Sequence, residues 1–270
     1  MIGGKKIAFI GAGFMGGAIV KGLLRSGAAK KDDIVVSDPS ETAVKALVKQ
    51  TGVKASSDNS GAVSIADIVV LAVKPQMMKE VLEPLGKKIG KKKLVISIAA
   101  GLKTSALLSW LPSGVRLVRA MPNICATAGE GATALCAAGG AGEMDMAMAR
   151  ELFDSVGEAV VVNEKAMDAV TGLSGSGPAF VFLFLEAMID AGVRCGLARD
   201  VAKTLAVQTL YGAAKMAKTT GEHPAALKDR VTSPGGTTIA GLAVLEEEAF
   251  RGAIIRAVEE AAERSKELGQ

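Results

Sequence analysis

Three glycines near the N-terminus have the spacing of a dinucleotide-binding loop. Gly11, Gly13 and Gly16 form a G-x-G-x-x-G pattern directly after the apolar run Ile7–Ile10. Such a run predicts a buried parallel strand. The glycines would then permit a tight turn, close approach of backbone N–H groups to a pyrophosphate, and tight packing of the next helix. An ordinary glycine-rich turn is disfavoured because an amphipathic segment follows. The predicted pyrophosphate-binding residues are Gly11, Ala12, Gly13, Phe14, Met15 and Gly16.

A second group of polar residues follows the next predicted strand, residues 34–36. Asp38 lies about 20 residues after Gly16, which is the offset at which an acid binds the adenosine ribose. An acid favours NAD, whereas hydroxyls of the neighbouring Ser37 and Ser40 could donate to a 2′-phosphate, so the sequence leaves the choice between NADH and NADPH open. Asp38 before Pro39 is also typical of a helix N-cap with proline at the first helical position.

Two further predicted strands, residues 67–73 and 94–98, lead into segments that could contact the coenzyme. Residues at the carboxyl ends of parallel strands line the ligand crevice of such a sheet. The small residues after the second of these strands would let a flat ring or sugar lie against the backbone, although close packing alone explains them equally well. These segments contain Ala72, Val73, Lys74 and Pro75, and Ala99, Ala100 and Gly101.

The order of elements predicts two domains. Strands alternate with helices, with later strands at 115–120 and 132–137, which indicates an α/β fold with a doubly wound parallel sheet of the Rossmann type. Beyond Val162 the periodicity is helical, so we expect a dinucleotide-binding domain at 1–163 and an all-helical domain at 164–270. A glycine-rich stretch at 171–178 is expected to break a helix, and a last amphipathic helix is expected from Glu246 onward.

The helix after this glycine-rich stretch is apolar on every side between Ala179 and Ile189. A surface helix would show a single apolar stripe. A small domain offers little cover for such a helix, so we expect it to lie in a subunit interface. The alternative is a core helix within one chain.

Composition excludes several classes of function. The 32 basic and 28 acidic residues nearly balance, and no basic stripe with interleaved aromatics is present, so no nucleic-acid partner is expected. The three cysteines lack C-x-x-C spacing, which predicts neither zinc nor a disulfide frame. His223, the only histidine, is expected at a loop or helix start beside Pro224. The strongly apolar run 178–185 is too short to cross a bilayer, so a soluble cytoplasmic protein is expected.

The candidate substrate site lies far from the glycines in sequence. Ser233, Pro234 and the glycine pair Gly235–Gly236 precede a helix that should begin near Thr237 or Thr238. Free N–H groups of that helix, beside the hydroxyls of Ser233 and Thr238, would form a nest for a small carboxylate. The alternative is a hydroxyl-capped helix start without a ligand.

These segments together resemble the pyrroline-5-carboxylate reductase family. The resemblance is carried by 171–178 and 231–242, joined to the glycine pattern and to 72–75, and it extends over essentially the whole chain. It implies reduction of 1-pyrroline-5-carboxylate to L-proline with NAD(P)H, the last step of proline synthesis. It also implies a Rossmann domain followed by a helical domain that interlocks in a homodimer, often assembled further into a decamer.

The resemblance also implies roles for individual residues. Ser37, Asp38 and Asn59 fall where the family binds the adenosine end, and 72–75 and 99–101 fall beside the nicotinamide half. In addition, several NADPH-preferring members have serine where this chain has Asp38, so the resemblance does not carry over a preference for NADPH. The implied substrate-binding residues are Ser233 and the backbone amides of Gly236 and Thr237 at the carboxylate, and the Thr238 hydroxyl at the ring nitrogen.

Thr238 is the expected catalytic residue. An unperturbed threonine is a poor acid, so we expect its hydroxyl to position the ring nitrogen by a hydrogen bond rather than to act as a general acid. One rival is a β-hydroxyacid dehydrogenase, but Val181 and Leu185 occupy the positions where that family has lysine and asparagine. A non-catalytic nucleotide-sensing module is a rival from another class, and reduction of a different cyclic imine also fits these residues.

Overall fold

A computed structural model describes residues 1–269. The chain forms two compact units. The first comprises Met1–Ser176 together with the chain from Glu260 onward, and the second comprises Gly177–Glu259.

The first unit is built on one eight-stranded sheet in the order β3-β2-β1-β4-β5-β6-β7-β8. All strand pairs are parallel except β6 with β7. The chain leaves β1 toward β2 and β3 on one side and returns to β4 on the other, which creates a topological switch point between β1 and β4. The strands are β1 Ile7–Ile10, β2 Ile34–Ser37, β3 Lys54–Ala55, β4 Ile68–Leu71, β5 Leu94–Ser97, β6 Arg116–Pro122, β7 Gly131–Gly139 and β8 Gly157–Val161.

Helices cover both faces of this sheet, and an apolar layer lies between the sheet and the helices on each face. Along β1 the side chains alternate between the layers, with Ile7 and Phe9 in one and Ala8 and Ile10 in the other. Such double burial explains why the central strands read as continuous apolar runs. The helices of this unit are α1 Phe14–Arg25, α2 Glu41–Thr51, α3 Asn59–Ile65, α4 Met78–Ile89, α5 Thr104–Ser109, α6 Glu143–Asp154 and α7 Met167–Val170.

The sheet departs from the sequence expectation in three details. The strands β3 and β8 have no counterpart among the predicted strands: β3 has only two residues, both exposed, and β8 is largely exposed, so neither has an apolar run to mark it. The strand β7 runs antiparallel to β6 rather than parallel. Only a short 3₁₀ turn, Ile124–Ala128, lies between them, and a parallel return would need a longer crossover.

The glycine-rich stretch at 171–178 interrupts the α-helix, as predicted. Helix α7 ends at Val170, a π-helical turn occupies Thr171–Gly175, and the next α-helix begins at Gly177. The Ser176 N–H donates to the Thr171 carbonyl oxygen at 2.8 Å, which closes this wider turn. By length and composition alone, the helical stretch Glu164–Arg194 could span a membrane, and 6% of its most apolar window is buried.

The second unit is helical and has little core of its own. Among its residues, only Ala202 and Ala206 are buried, whereas Phe182 and Leu183 of the apolar helix α8 are 58% and 68% exposed. Its helices are α8 Gly177–Arg194, α9 Arg199–Thr220, α10 Pro224–Arg230, α11 Thr237–Glu247 and the first part of α12 Phe250–Leu268.

The last helix begins later than predicted. Glu246 belongs to the end of α11, and Ala249, with φ of 54°, interrupts the chain before α12 begins at Phe250. A left-handed residue ends a helix, so Glu246 and Glu247 close α11 instead of opening the last helix. The far end of α12 belongs to the first unit, where the buried Ser265 hydroxyl donates to Asp168 Oδ1 at 2.7 Å.

Candidate functional site

The glycine loop lies at the switch point, where β1 leads into α1. A Cβ at Gly11 would lie 2.4 Å from the Ala72 carbonyl oxygen, and one at Gly16 would lie 2.5 Å from the Gly11 carbonyl oxygen. Gly11 also has φ of 107°, which favours glycine. Because backbone atoms block both positions, the loop can keep this shape only with glycine there.

The same loop leaves room for a phosphate group. Nothing lies within 4 Å of the position that a Cβ on Gly13 would occupy. Gly13 is the N-cap of α1, and no side chain caps the helix, so its first-turn N–H groups have no partner from the helix itself. Phe14 is exposed and Met15 is half-buried. Open space before uncapped N–H donors fits a pyrophosphate.

A cavity of about 490 Å³ lies beside this loop, at the carboxyl end of β2. The buried Ser37 donates its hydroxyl to Asn59 Oδ1 at 2.8 Å, so two of the predicted adenosine-binding residues are joined directly. Its lining combines apolar and polar side chains, which fits a flat base attached to a sugar. The cavity is lined by Ser37, Asp38, Pro39, Ser57, Asp58, Asn59, Ser60, Met77, Glu80, Val81, Pro84 and Leu85.

Asp38 connects this cavity to the glycine loop. Its Oδ2 accepts from the Ala12 N–H at 2.8 Å, and its Oδ1 accepts from the Ser40 N–H at 2.8 Å. Asp38 is not the cap of α2, as its position before Pro39 had suggested. Ser40 takes that place and accepts from the Ala43 N–H. The carboxylate is therefore oriented by both the glycine loop and the loop after β2.

The two predicted nicotinamide segments, 72–75 and 99–101, follow β4 and β5, which lie side by side in the sheet, with β4 next to β1. The Ala72 N–H donates to the Ile10 carbonyl oxygen at 2.7 Å, and Pro75 opens the 3₁₀ turn Pro75–Met77. Ala99 is buried, and Gly101 has φ of 77°. Both segments, including Val73, Lys74 and Ala100, therefore lie at the same edge of the sheet as the glycine loop.

A buried polar group that sequence reasoning missed supports the segment after β5. Arg119, 2% exposed in β6, donates to Glu164 Oε1 at 2.7 Å, and the same oxygen accepts from the Thr104 N–H at the start of α5. Burial, followed by the negative charge of Glu164, raises the pKa of Cys136 on the neighbouring strand from 9.0 to about 11. Cys136 therefore remains a neutral thiol near pH 7. A charged residue inside an apolar strand was the available sequence signal.

Asn123 is a second residue that sequence reasoning missed. It follows the carboxyl end of β6 and is 9% exposed. Its Nδ2 donates to the Ser174 carbonyl oxygen at 3.1 Å, and its Oδ1 accepts from the Ala132 N–H at 3.2 Å. It thus joins the π-helical turn to β7. The available signal was an amide placed directly after a strand end.

The second unit contains the predicted substrate segment. The Gly236 N–H donates to the Ser233 carbonyl oxygen at 3.1 Å, and Gly235 has φ of 65°, so these residues form a tight turn with Pro234 as its second residue. Helix α11 then begins at Thr237 with Gly236 as its N-cap and no side-chain cap. The first-turn N–H groups of Thr237 and Thr238 therefore have no partner from the helix.

The Ser233 hydroxyl lies over this helix start. A Cβ at Gly236 would come within 2.3 Å of Ser233 Oγ, so a side chain there would displace the hydroxyl. The Gly236 N–H is already engaged by the turn, whereas Ser233 and Thr237, which lie before and after the glycine pair, are exposed. Such a cluster of donors suits a small carboxylate.

The remaining candidates have structural roles or none. His223 caps α10, where its Nδ1 accepts from the Ala225 N–H at 3.2 Å, which confirms its expected place at a helix start. Within residues 1–269, no group of three or more His, Cys, Asp and Glu side chains is arranged to hold a metal ion. The predicted coenzyme residues thus gather in the first unit, and the predicted substrate residues gather in the second.

Comparisons with known proteins agree with this division. Residues 164–268 match the family described as pyrroline-5-carboxylate reductase dimerisation, and residues 6–101 match the family described as NADP oxidoreductase coenzyme F420-dependent. The chain is 50% identical to the pyrroline-5-carboxylate reductase of Methanosarcina acetivorans over 98% of both chains.

Two solved structures are similar over nearly their full length. A pyrroline-5-carboxylate reductase from Coxiella burnetii is 38% identical, with a TM-score of 0.94 over 98% of this chain and 99% of that protein. The pyrroline carboxylate reductase of Plasmodium falciparum with NADP bound is 36% identical, with a TM-score of 0.89 over 99% of each chain.

Proposed function

The chain belongs to the pyrroline-5-carboxylate reductase family, and from that premise we propose that it reduces 1-pyrroline-5-carboxylate to L-proline with NAD(P)H, the last step of proline biosynthesis. The observation that supports this substrate most directly is the uncapped start of α11 beneath the Ser233 hydroxyl. A cyclic imino acid is small and anionic, and its carboxylate matches that cluster of donors. Membership of this family argues against the activity of a β-hydroxyacid dehydrogenase. In agreement, Val181 and Leu185 occupy the positions where β-hydroxyacid dehydrogenases have lysine and asparagine.

For the coenzyme, we propose that the switch-point loops of the first unit bind its three parts in order. The glycine loop would hold the pyrophosphate, because uncapped N–H donors face open space at Gly13. Ser37, Asp38 and Asn59 would hold the adenosine end, since they line one cavity beside that loop. The segments 72–75 and 99–101 would lie along the nicotinamide half. When bound, the reduced nicotinamide supplies the hydride.

For the substrate, we propose that Ser233 and the amides at the start of α11 bind the carboxylate. The Thr237 N–H is free of the preceding turn and would donate directly, whereas the Gly236 N–H would have to leave the Ser233 carbonyl oxygen to do so. The Thr238 hydroxyl, half-buried one residue further on, would hydrogen-bond the ring nitrogen. That contact fixes the orientation of the C=N bond. We assign Thr238 the role of a positioning group because its hydroxyl has no base beside it in the described hydrogen bonds.

The test is a spectrophotometric assay of the purified protein. With pyrroline-5-carboxylate as substrate, we expect the absorbance of NADH or NADPH to fall and L-proline to accumulate in equal amount. Consumption of neither coenzyme by folded protein would overturn the proposed function. Coenzyme binding without turnover would favour a nucleotide-sensing module, and faster turnover of a six-membered homologue would identify another cyclic imine as the substrate.

For the assembly, we propose a homodimer formed through the helices of the second unit, with a decamer as its further association. The match to a dimerisation family supports this, as does the exposure of Val181, Phe182 and Leu183 on α8. The stretch Glu164–Arg194 contains Asp168, Glu186 and Asp190, which would be costly in a bilayer and favour a protein partner over lipid. Light scattering after gel filtration gives the mass directly, and a monomer at micromolar concentration would contradict the dimer.

Two coarser features complete the proposal. We retain residue 163 as the boundary between the coenzyme domain and the helical domain, supported by the family match that begins at 164. The compact units divide later, after Ser176. Expression of residues 1–163 alone tests the boundary by whether that fragment folds.

We also propose a cytoplasmic location, which cell fractionation can test.

A further inference from the structure

We propose that this chain selects NADH over NADPH, and that Asp38 is the residue responsible. The inference rests on the proposed function only in assigning the cavity beside the glycine loop to the adenosine half of the coenzyme. Its physical basis is the charge and the hydrogen bonding of the residues that line this cavity.

The carboxylate of Asp38 is held in place on both sides. One oxygen accepts from the Ala12 N–H and the other from the Ser40 N–H, each at 2.8 Å. Two backbone donors fix the orientation of the carboxylate, so a larger anion could displace the side chain only by breaking these hydrogen bonds. Each oxygen retains a lone pair that could accept from a ribose hydroxyl, which is the interaction by which an acid at this position recognises NAD.

The rest of the cavity offers no positive charge to a 2′-phosphate. Its lining includes three carboxylates, those of Asp38, Asp58 and Glu80, and contains no lysine, arginine or histidine. Asp58 is fixed as the cap of α3, where its Oδ1 accepts from the Gly61 N–H at 2.7 Å. A phosphate group carrying up to two negative charges would therefore enter a site that already holds negative charge.

The hydroxyls around the cavity do not compensate for this charge. The single O–H of Ser37 is donated to Asn59 Oδ1, so it is not available to a phosphate oxygen. Ser57 and Ser60 can offer only neutral hydrogen bonds. Recognition of a 2′-phosphate normally relies on a cation such as arginine, and none lines this cavity. A neutral ribose with two hydroxyls is the better match.

Direct binding tests this inference without reference to turnover. In calorimetric titrations of the full-length protein at low salt, we expect NADH to bind at least about tenfold more tightly than NADPH. Because the discrimination is electrostatic, the ratio of the two Kd values should decrease as salt is added. Equal affinities, or tighter binding of NADPH, would overturn the proposal.

Three variants assign the effect to the residue. Asp38→Asn removes the charge but keeps an acceptor for a backbone N–H, and it should reduce the Kd ratio at least about fivefold. Glu80→Lys adds a cation to the cavity and should tighten NADPH binding while leaving NADH nearly unchanged, a gain that misfolding cannot produce. Glu83→Gln on the same helix removes a carboxylate outside the cavity and should leave the ratio unchanged. An unchanged ratio in Asp38→Asn would overturn the role of Asp38.

Kinetics separate this inference from the proposed function. If the protein binds NADH preferentially but does not reduce pyrroline-5-carboxylate, the proposed function fails and the selectivity stands. If the protein reduces pyrroline-5-carboxylate equally well with both coenzymes and binds them equally, the function stands and the selectivity fails.

Discussion

The two compact units differ in how much apolar surface each buries within itself. The first has a sheet with apolar layers on both faces, and its central strands β1, β2, β4 and β5 are fully buried. The second has only Ala202 and Ala206 buried, and most of its large apolar side chains remain exposed. A unit with so little buried apolar area cannot offset its conformational entropy by itself. We therefore expect the coenzyme half to fold alone and the substrate half to depend on a second copy.

The largest expected effect follows from that dependence. Leu183→Glu places a charge at a 68%-exposed position on α8. If this face is buried between protomers, an unpaired charge there costs several kcal/mol, so we expect monomers and loss of activity. Light scattering and the activity assay measure both. Ile65→Glu is the matched control, since Ile65 is 59% exposed in the first unit, and it should remain dimeric. If Leu183→Glu remained a fully active dimer, the second unit would not depend on this face of α8 for association, and the expected difference between the units would be wrong.

The second prediction concerns chemistry assigned to the substrate half. Thr238→Ala should lower kcat on the order of 100-fold, because the ring nitrogen loses the group that orients it. Coenzyme Kd should stay within about twofold, since the coenzyme residues belong to the other unit. Thr204→Ala is the control, because the Thr204 hydroxyl bonds only within its own helix, to the Asp200 carbonyl oxygen. A collapse of coenzyme affinity in Thr238→Ala would show that the role assignment is wrong.

The third prediction compares one glycine from each unit. A Cβ at Gly11 would meet a backbone carbonyl at 2.4 Å, whereas a Cβ at Gly236 would meet the Ser233 hydroxyl at 2.3 Å. Moving the backbone carbonyl would distort the loop, whereas the Ser233 side chain can rotate away from the added carbon. Gly11→Ala should therefore destabilise the protein by roughly 2–4 kcal/mol. Gly236→Ala should leave stability nearly unchanged and raise the substrate KM about tenfold, because the displaced hydroxyl no longer reaches the carboxylate.

Thermal unfolding and steady-state kinetics on these two variants provide the check. Gly3→Ala is a useful reference, since nothing lies within 4 Å of the added carbon and φ there is not positive. Comparable losses of stability at Gly11 and Gly236 would contradict the contrast between a rigid coenzyme loop and an adaptable substrate turn.

The sequence predicted the features that depend on local pattern. The glycine spacing, the buried central strands and the uncapped helix start after Gly236 each follow from a few adjacent residues, and the structure contains all three. The features that it did not predict depend on distant contacts. The sequence offered Asp38 as an adenosine-binding acid or as a helix cap, but neither pattern indicates that its carboxylate accepts from the Ala12 N–H on the glycine loop. The Arg119–Glu164 pair joins residues that no local pattern relates.

The smallest expected effect concerns a thiol buried in the first unit. The pKa of Cys136 is raised from 9.0 to about 11, first by burial and then by Glu164. The folded protein therefore keeps this proton at pH values where the unfolded chain loses it. The resulting stabilisation is complete below pH 9.0 and is lost as the pH rises toward 11. Melting temperatures of wild type and Cys136→Ala, measured from about pH 8 to about pH 11, should converge as the pH increases.

The exposed Cys195 in the second unit provides the matched control for this thiol. Cys195→Ser should follow the wild-type profile at every pH, because an exposed side chain can be replaced by one of similar size without opening a cavity. The difference between Cys136→Ala and wild type should therefore narrow with pH, while the difference between Cys195→Ser and wild type should stay constant. If the Cys136→Ala curve instead ran parallel to wild type throughout, the raised pKa would be refuted. Water would then reach the Cys136 side chain on β7 more easily than its 4% exposed fraction indicates.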